Sequence, residues 1–217
     1  MSWRTGTLVF IGLAIAVIAV RIAEHDTEGT STWDFTRASG FTGYLLLWLS
    51  VCGGMVTGFR GVPAFFGSAR WIELHRMVAV LAASFVAAHL FGLLLDPFMP
   101  FSPVELLVPF ASEYRPAWVG LGTLAMWLLA VVLITTALFS RLRWRRWHLV
   151  HLLSYPCYLL AFLHGVMSGT DSGATPALLI YAGTAALVAA LTVYRIAGPA
   201  PRERRSPQLE GDLASGG

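Results

Sequence analysis

Hydrophobic residues in this chain gather into six long runs, at about 7–23, 41–58, 71–95, 117–139, 148–167 and 175–194, separated by polar stretches. Most are close to the ~20 residues a helix needs to cross a bilayer. The pattern predicts an all-α polytopic membrane protein, a six-transmembrane-helix bundle over residues 1–197. From Gly198 the composition turns to Pro, Arg, Ser and Gly, which predicts a disordered cytoplasmic tail over 198–217. The first run, preceded by Arg4, resembles a signal peptide. Arg21 stands where a small-x-small cleavage site would follow, so the run is read as a retained helix whose Arg21 snorkels to the interface. The stretch 97–116 is a long connection in which Val104–Phe110 is expected to form a short interfacial helix.

Composition narrows the class. The 217 residues are 56% hydrophobic and 12% charged, with a mean hydropathy of +0.67. That excludes a water-soluble domain and makes membrane lipid the main surrounding. The short connections leave no room for a soluble catalytic domain, and no nucleic-acid partner is expected.

Charge placement gives the orientation. All fifteen cationic side chains are Arg. Arg4 precedes the first run; Arg60, Arg70 and Arg76 flank the connection after the second. Arg141, Arg143, Arg145 and Arg146 fill the connection after the fourth, and Arg195, Arg202, Arg204 and Arg205 follow the sixth. The alternate connections carry Glu24, Asp26, Glu28, Asp34, Asp96, Glu105, Glu113 and Asp171 against Arg21, Arg37 and Arg115. By the positive-inside rule both termini are cytoplasmic, in a cell inner (plasma) membrane. Trp71, Trp118, Trp144 and Trp147 sit at predicted membrane edges, as an aromatic belt would.

The candidate chemistry lies in histidines at membrane depth. His75 and His89 share one apolar run, and His151 and His164 share another. Along a helix these spacings are about 21 Å and about 20 Å, within a hydrocarbon core about 30 Å thick. Each run therefore offers one imidazole near either face, and two such helices side by side could clamp two haems. A single intramembrane histidine commonly just hydrogen-bonds a neighbouring helix; four at paired depths argue for a ligand set. No carboxylate or arginine lies deep in a run, which disfavours an ion-coupled transporter. On an ideal helix His75 and His89 are about 40° apart, with Ala79, Ala82 and Val86 between them on that face. His151 and His164 come out about 140° apart, and Pro156 between them is where a kink or retwist would bring the faces together. His148 competes with His151. Depth favours His151, since His148 lies about 24 Å from His164.

Other apparent motifs carry little. Gly120-Leu121-Gly122-Thr123-Leu124-Ala125 looks like a dinucleotide fingerprint but lies inside a span, where small residues allow close helix packing. Cys52 and Cys157 stand singly and read as buried fillers. No CxxCH sequence is present, so any haem would be noncovalent.

Trp71-x3-His75-Arg76 with His89, and Trp147-x3-His151-x3-Tyr155 with His164, resemble the ferric-reductase-like transmembrane family over about residues 40–195. The resemblance implies a six-helix bundle with two b-type haems. His75 and His151 would ligate the iron on the cytoplasmic side, and His89 and His164 the outer iron. It also implies electron transfer from a cytoplasmic flavoprotein or a quinol to an outer-side acceptor such as a ferric chelate. In a second reading the chain is a haem-binding subunit delivering electrons to a periplasmic oxidoreductase of the methionine sulfoxide reductase kind. No flavin domain is present in this chain, so the electron donor is a separate molecule. Arg70, Arg76, Arg141 and Arg143 are candidates to pair with haem propionates, although topology alone accounts for them. Phe85, Tyr158 and Phe162 lie between the two histidine levels, where ordinary helix packing accounts for them.

The arginine pattern makes a direct prediction. Cysteines introduced beside Arg143 and Arg204 should react with an impermeant maleimide only from the cytoplasmic face; labelling from outside would reverse the orientation.

Overall fold

The computed structural model describes residues 30–57 and 64–197. The predicted first span, 7–23, and the predicted tail, 198–217, lie outside the described residues, as do Arg4, Arg21, Arg60 and Arg202, Arg204 and Arg205. In order, the chain forms α1 (Thr30–Thr57), a 3₁₀ turn (Ala64–Gly67), α2 (Ala69–Leu95), α3 (Pro103–Leu107) and α4 (Pro116–Ala137). A second 3₁₀ turn (Phe139–Arg141), α5 (Trp144–His151), α6 (Ser154–Ser168) and α7 (Thr175–Ala197) follow. Among the described residues no strand occurs. Among the described residues, five segments are long and apolar enough to cross a membrane: Ser31–Thr57, Ala69–Leu95, Pro116–Ala137, Trp144–Ser168 and Thr175–Ala197. The protein is an all-α polytopic membrane protein.

Local signals set the helix starts. The Ser68 side chain caps α2 by accepting from the Trp71 backbone N–H at 3.3 Å. Pro116 opens α4, where its missing N–H costs nothing. In the connection after α2 Asp96 Oδ1 accepts from the N–H groups of Phe98 and Met99 at 2.8 and 3.1 Å, turning the chain. Ser102 and Glu105 then form a capping box for α3, the short helix expected there. Hydrogen bonds from the Ser102 backbone and hydroxyl, then from the Glu113 N–H, hold the Glu105 carboxyl below its ordinary pKa.

Two segments depart from the hydropathy pattern. The α1 helix begins at Thr30, eleven residues before the apolar run at 41. Its first turns read as polar, yet Thr32, Thr36 and Ser39 are buried. They form a stripe at helical spacing in which Thr36 packs against Gly92 of α2. Small hydroxyl residues are favoured at helix interfaces in membranes, a role that a hydropathy scale scores as polarity.

The other departure is the break between α5 and α6. Leu153 N–H bonds to Val150 C=O and Tyr155 N–H to Leu152 C=O, both three residues back, at 3.0 and 3.1 Å. Pro156 sits in the first turn of α6, where the lack of an N–H is tolerated. Thirteen ordinary helical steps leave about 220° beyond whole turns, and each three-residue link turns about 120° per residue instead of about 100°. The joint is thus overwound in the direction that brings His151 and His164 toward one face.

The helices pack as two close pairs, α1 with α2 and α4 with α6, joined by contacts of α1 with α6 and α7. Tyr44, Leu47, Val51 and Met55 of α1 meet Ala82, Leu129, Cys157, Tyr158 and Tyr181 in the core. Tyr44 Oη is 2.5 Å from Thr184 Oγ1 and 3.4 Å from Tyr158 Oη, so the buried hydroxyls satisfy one another. Tyr158 and Phe162 belong to this cluster with Tyr44 and Tyr181. Cys52 and Cys157 are buried free thiols, as expected for fillers.

The α1–α2 contact depends on Gly92, whose added Cβ would collide with Thr36 Oγ1. Gly92→Ala should therefore destabilise the protein by about 1–3 kcal/mol, as overpacking does. Thr36→Ala in the same chain should recover part of the loss. Thermal unfolding in detergent reads both, and an unchanged transition for Gly92→Ala would show that the interface is loose.

Candidate functional site

The four histidines of α2, α5 and α6 meet in two pairs. The ring centroids of His75 and His151 are 6.2 Å apart, and those of His89 and His164 are 6.5 Å apart, each pair tilted by 71°. A metal ion bonded to a nitrogen of both rings at about 2 Å requires centroids about 6.3 Å apart, once the half-width of each ring is added. Both pairs have that spacing. Among the described residues no three His, Cys, Asp or Glu side chains converge. Each pair could therefore supply two ligands to one metal ion, which would suit a metal whose remaining positions a planar macrocycle fills.

The levels follow from helix length. His75 lies six residues from the start of α2 and His89 six from its end, about 9 Å inside each terminus. The His75 level shares its end of the bundle with exposed Arg70, Arg76, Arg141 and Arg143, and Arg76 is 3.6 Å from Glu73. His148, the competitor of His151, stacks on Trp144, with centroids 5.8 Å apart.

What orients the rings is the neighbouring backbone. His89 Nδ1 lies 2.8 Å from the Thr36 carbonyl, and His164 Nδ1 lies 3.0 Å from the Trp118 carbonyl. A carbonyl can only accept, so in both rings Nδ1 carries the proton and Nε2 keeps its lone pair. Four residues after each carbonyl comes a glycine. A Cβ on Gly40 would stand 2.7 Å from His89 Nδ1, and one on Gly122 would stand 2.6 Å from His164 Nδ1. Only glycine lets the imidazole lie this close to the helix. His75 follows the same plan more loosely: Ser50 Oγ is 3.4 Å from its Nδ1, and a Cβ on Gly54 would be 3.4 Å from its Cε1. Such outer hydrogen bonds fix the ring orientation and raise the donor strength of the free nitrogen.

The His89–His164 pair opens on a cavity of about 690 Å³, lined mainly by apolar side chains of α1, α2, α4, α6 and α7. That is within the range of cofactor sites. Arg37 stands at its mouth. It pairs with Asp34 on its own helix and donates to Asp171 beyond α6 at 2.6 Å. Hydropathy placed Arg37 in a connection; in the structure it is two turns inside α1.

The four histidines that the sequence singles out are brought into two pairs by the structure, while the residues packed against them were not singled out. The readable signal was the glycine register: Gly40 and Gly54 on α1 are fourteen residues apart, as are His75 and His89 on α2. Gly122, set aside with an unrelated glycine motif, is the counterpart on α4. Phe85 packs toward Gly43, whose added Cβ would be 3.5 Å from the Phe85 Cβ, while Tyr158 and Phe162 serve the core. Trp147, expected at the lipid interface, instead covers His151, with ring centroids 4.7 Å apart.

Comparison with known proteins agrees with this architecture. Residues 39–162 match the family described as ferric reductase like transmembrane component. The chain is also 28% identical over 205 residues to the protein-methionine-sulfoxide reductase heme-binding subunit MsrQ of Rhodospirillum rubrum, covering 91% of this chain and 89% of that one. No solved structure matches it. With the family match extending over more than half of its length, the chain belongs to the ferric reductase like transmembrane component family.

Proposed function

We propose that this protein is a membrane cytochrome that binds two b-type haems and carries electrons across the bilayer to a partner oxidoreductase on the outer side. The observation that carries this reading is the pair of imidazole pairs, each at the spacing one metal ion requires. His75 and His151 would hold the inner haem; His89 and His164 would hold the outer one. Bound there, haem iron supplies one-electron chemistry between its ferric and ferrous states.

The chain's own residues do the rest. The carbonyls of Thr36 and Trp118 hold the outer rings in the tautomer that presents Nε2. Gly40 and Gly122 keep those carbonyls accessible. Leu47, Val86 and Leu129 help give the outer cavity an apolar wall that limits water. The arginines at the His75 end support an inner, cytoplasmic placement of that pair in a plasma membrane, with both termini inside.

Two acceptors fit the family: a ferric chelate at the outer edge, or a partner enzyme. Similarity along nearly the whole chain to a subunit named for haem binding in a methionine sulfoxide reductase favours the partner enzyme. The donor is then a separate cytoplasmic flavoprotein or a membrane quinol. Residues 1–197 would form the haem-carrying bundle, with 198–217 a cytoplasmic extension.

Purified, haem-replete protein should yield close to two haems per chain on acid-acetone extraction; none, or haem that resists extraction, would reject the cofactor assignment. After dithionite reduction, an exported methionine sulfoxide reductase with its substrate should reoxidise the protein faster than ferric citrate does, and the opposite ranking would favour the terminal-reductase reading.

The stacking of His148 on Trp144 bears on ligand choice. His148→Ala should retain both haems, while His151→Ala should lose the inner one and block transfer. The reverse result in quantified difference spectra would exchange the two assignments.

A further inference from the structure

Three of the four imidazoles lie beside a glycine placed four residues after the residue that accepts from or faces Nδ1. These are Thr36 with Gly40, Ser50 with Gly54, and Trp118 with Gly122. The first two sets are fourteen residues apart on α1, about four helical turns. Extending the α4 set by the same fourteen residues leads from Gly122 to Thr136, which bonds to Trp147, the residue stacked on His151. A side chain stands where the other three sites have none.

The surroundings of His151 change accordingly. Its Nδ1 is buried and, among the described residues, has no hydrogen-bond partner. The Val132 carbonyl, the counterpart of the Trp118 carbonyl, lies 3.1 Å from Thr135 Oγ1, whose shorter bond, at 2.7 Å, goes to the Val131 carbonyl. Thr136 Oγ1 accepts from Trp147 Nε1 at 3.3 Å. The Trp147 indole lies over the His151 imidazole, with centroids 4.7 Å apart and planes 22° from parallel. The corresponding tryptophan of the other motif behaves differently. Trp71, also four residues before its histidine, donates Nε1 to the Gly53 carbonyl at 3.3 Å and packs on Phe65 and Phe66. The same spacing thus serves two purposes, and only the second motif lays its indole on the ligand ring.

We propose that Trp147, braced by Thr136, is the positioning residue of His151, and that this ring is set by stacking where the other three are set by polar neighbours. The inference rests on the haem reading above. An imidazole whose Nδ1–H has no acceptor is a weaker donor through Nε2 than one bonded to a carbonyl. The inner pair is therefore unsymmetrical, one ring facing a hydroxyl and the other a π-face, whereas both outer rings are carbonyl-bonded. The two haem sites differ for a reason built into one residue position on α4. Stacking fixes the tilt of His151 and leaves its donor strength low, so removing the indole acts on the inner site alone.

The test uses full-length, haem-loaded protein, with haem counted by extraction and the two components followed by low-temperature electron paramagnetic resonance and redox titration. The component absent from His151→Ala identifies the inner site. Trp147→Leu should lose about half of the haem or shift the inner signal and its midpoint potential, leaving the outer component in place. Trp147→Phe, which keeps a stacked ring, should restore the inner component. Thr136→Val keeps the shape but removes the brace; it should broaden the inner signal with both haems retained, and it stands as the test if Trp147→Leu does not fold. An inner component indifferent to Trp147→Leu, or to Thr136→Val where the former does not fold, overturns the proposal, as does an equal change at both sites. Wild-type protein that binds no haem would instead reject the underlying reading.

Discussion

An imidazole at membrane depth needs an occupant for each ring nitrogen, because no water is at hand to serve either one. In three of the four rings, all but His151, one nitrogen already faces a polar group of the protein. For His89 and His164 the solution is a helix carbonyl reached over a glycine. That carbonyl already belongs to the helix's own ladder, and its second lone pair is what the imidazole uses. The arrangement works only if the ring slides within van der Waals reach of the helix surface. Hence the glycines are fixed by the histidines, and the close pairing of α1 with α2 and of α4 with α6 is fixed by both. The cavity is a result of the same geometry. Holding the two ligand-bearing helices against their own partners leaves the space between them open.

The architecture was legible because lipid imposes a simple rule on sequence: long apolar runs become helices, and arginines mark one side. The runs at 71–95, 117–139 and 175–194 correspond to α2, α4 and α7 within a few residues. The four histidines were legible for the converse reason, since an ionisable ring in such a run stands out. What escaped was everything whose signal is the absence of a side chain or the presence of a small polar one. Thr32, Thr36 and Ser39 read as a loop yet extend α1 by three turns. Gly122 read as helix packing alone. Arg37 read as a loop charge, because its two carboxylate partners come from positions 34 and 171, which no local window joins.

Trp147 shows a different limit. An aromatic residue beside an arginine run is what an interfacial anchor looks like, and Trp144, 62% exposed, fits that description. Trp147 is one turn further on and faces inward. Its partners, Thr136 and His151, lie on α4 and at the end of α5. Deciding between the two tryptophans requires knowing which face of α5 meets α4, which depends on the joint before α6.

That joint makes the two ligand-bearing segments act as a vernier. One carries its histidines fourteen residues apart in a regular helix; the other carries them thirteen apart across an overwound break. Equal depths are reached with unequal counts. The break thus decouples the distance between ligands from the pitch of the helix that carries them. A bundle built this way can adjust one histidine pair relative to the other by altering the local winding at Leu152 and Leu153, without changing the length of any span. Spacing between the two imidazole pairs becomes a property of a two-residue joint in the backbone, adjustable independently of the thickness of the membrane around it.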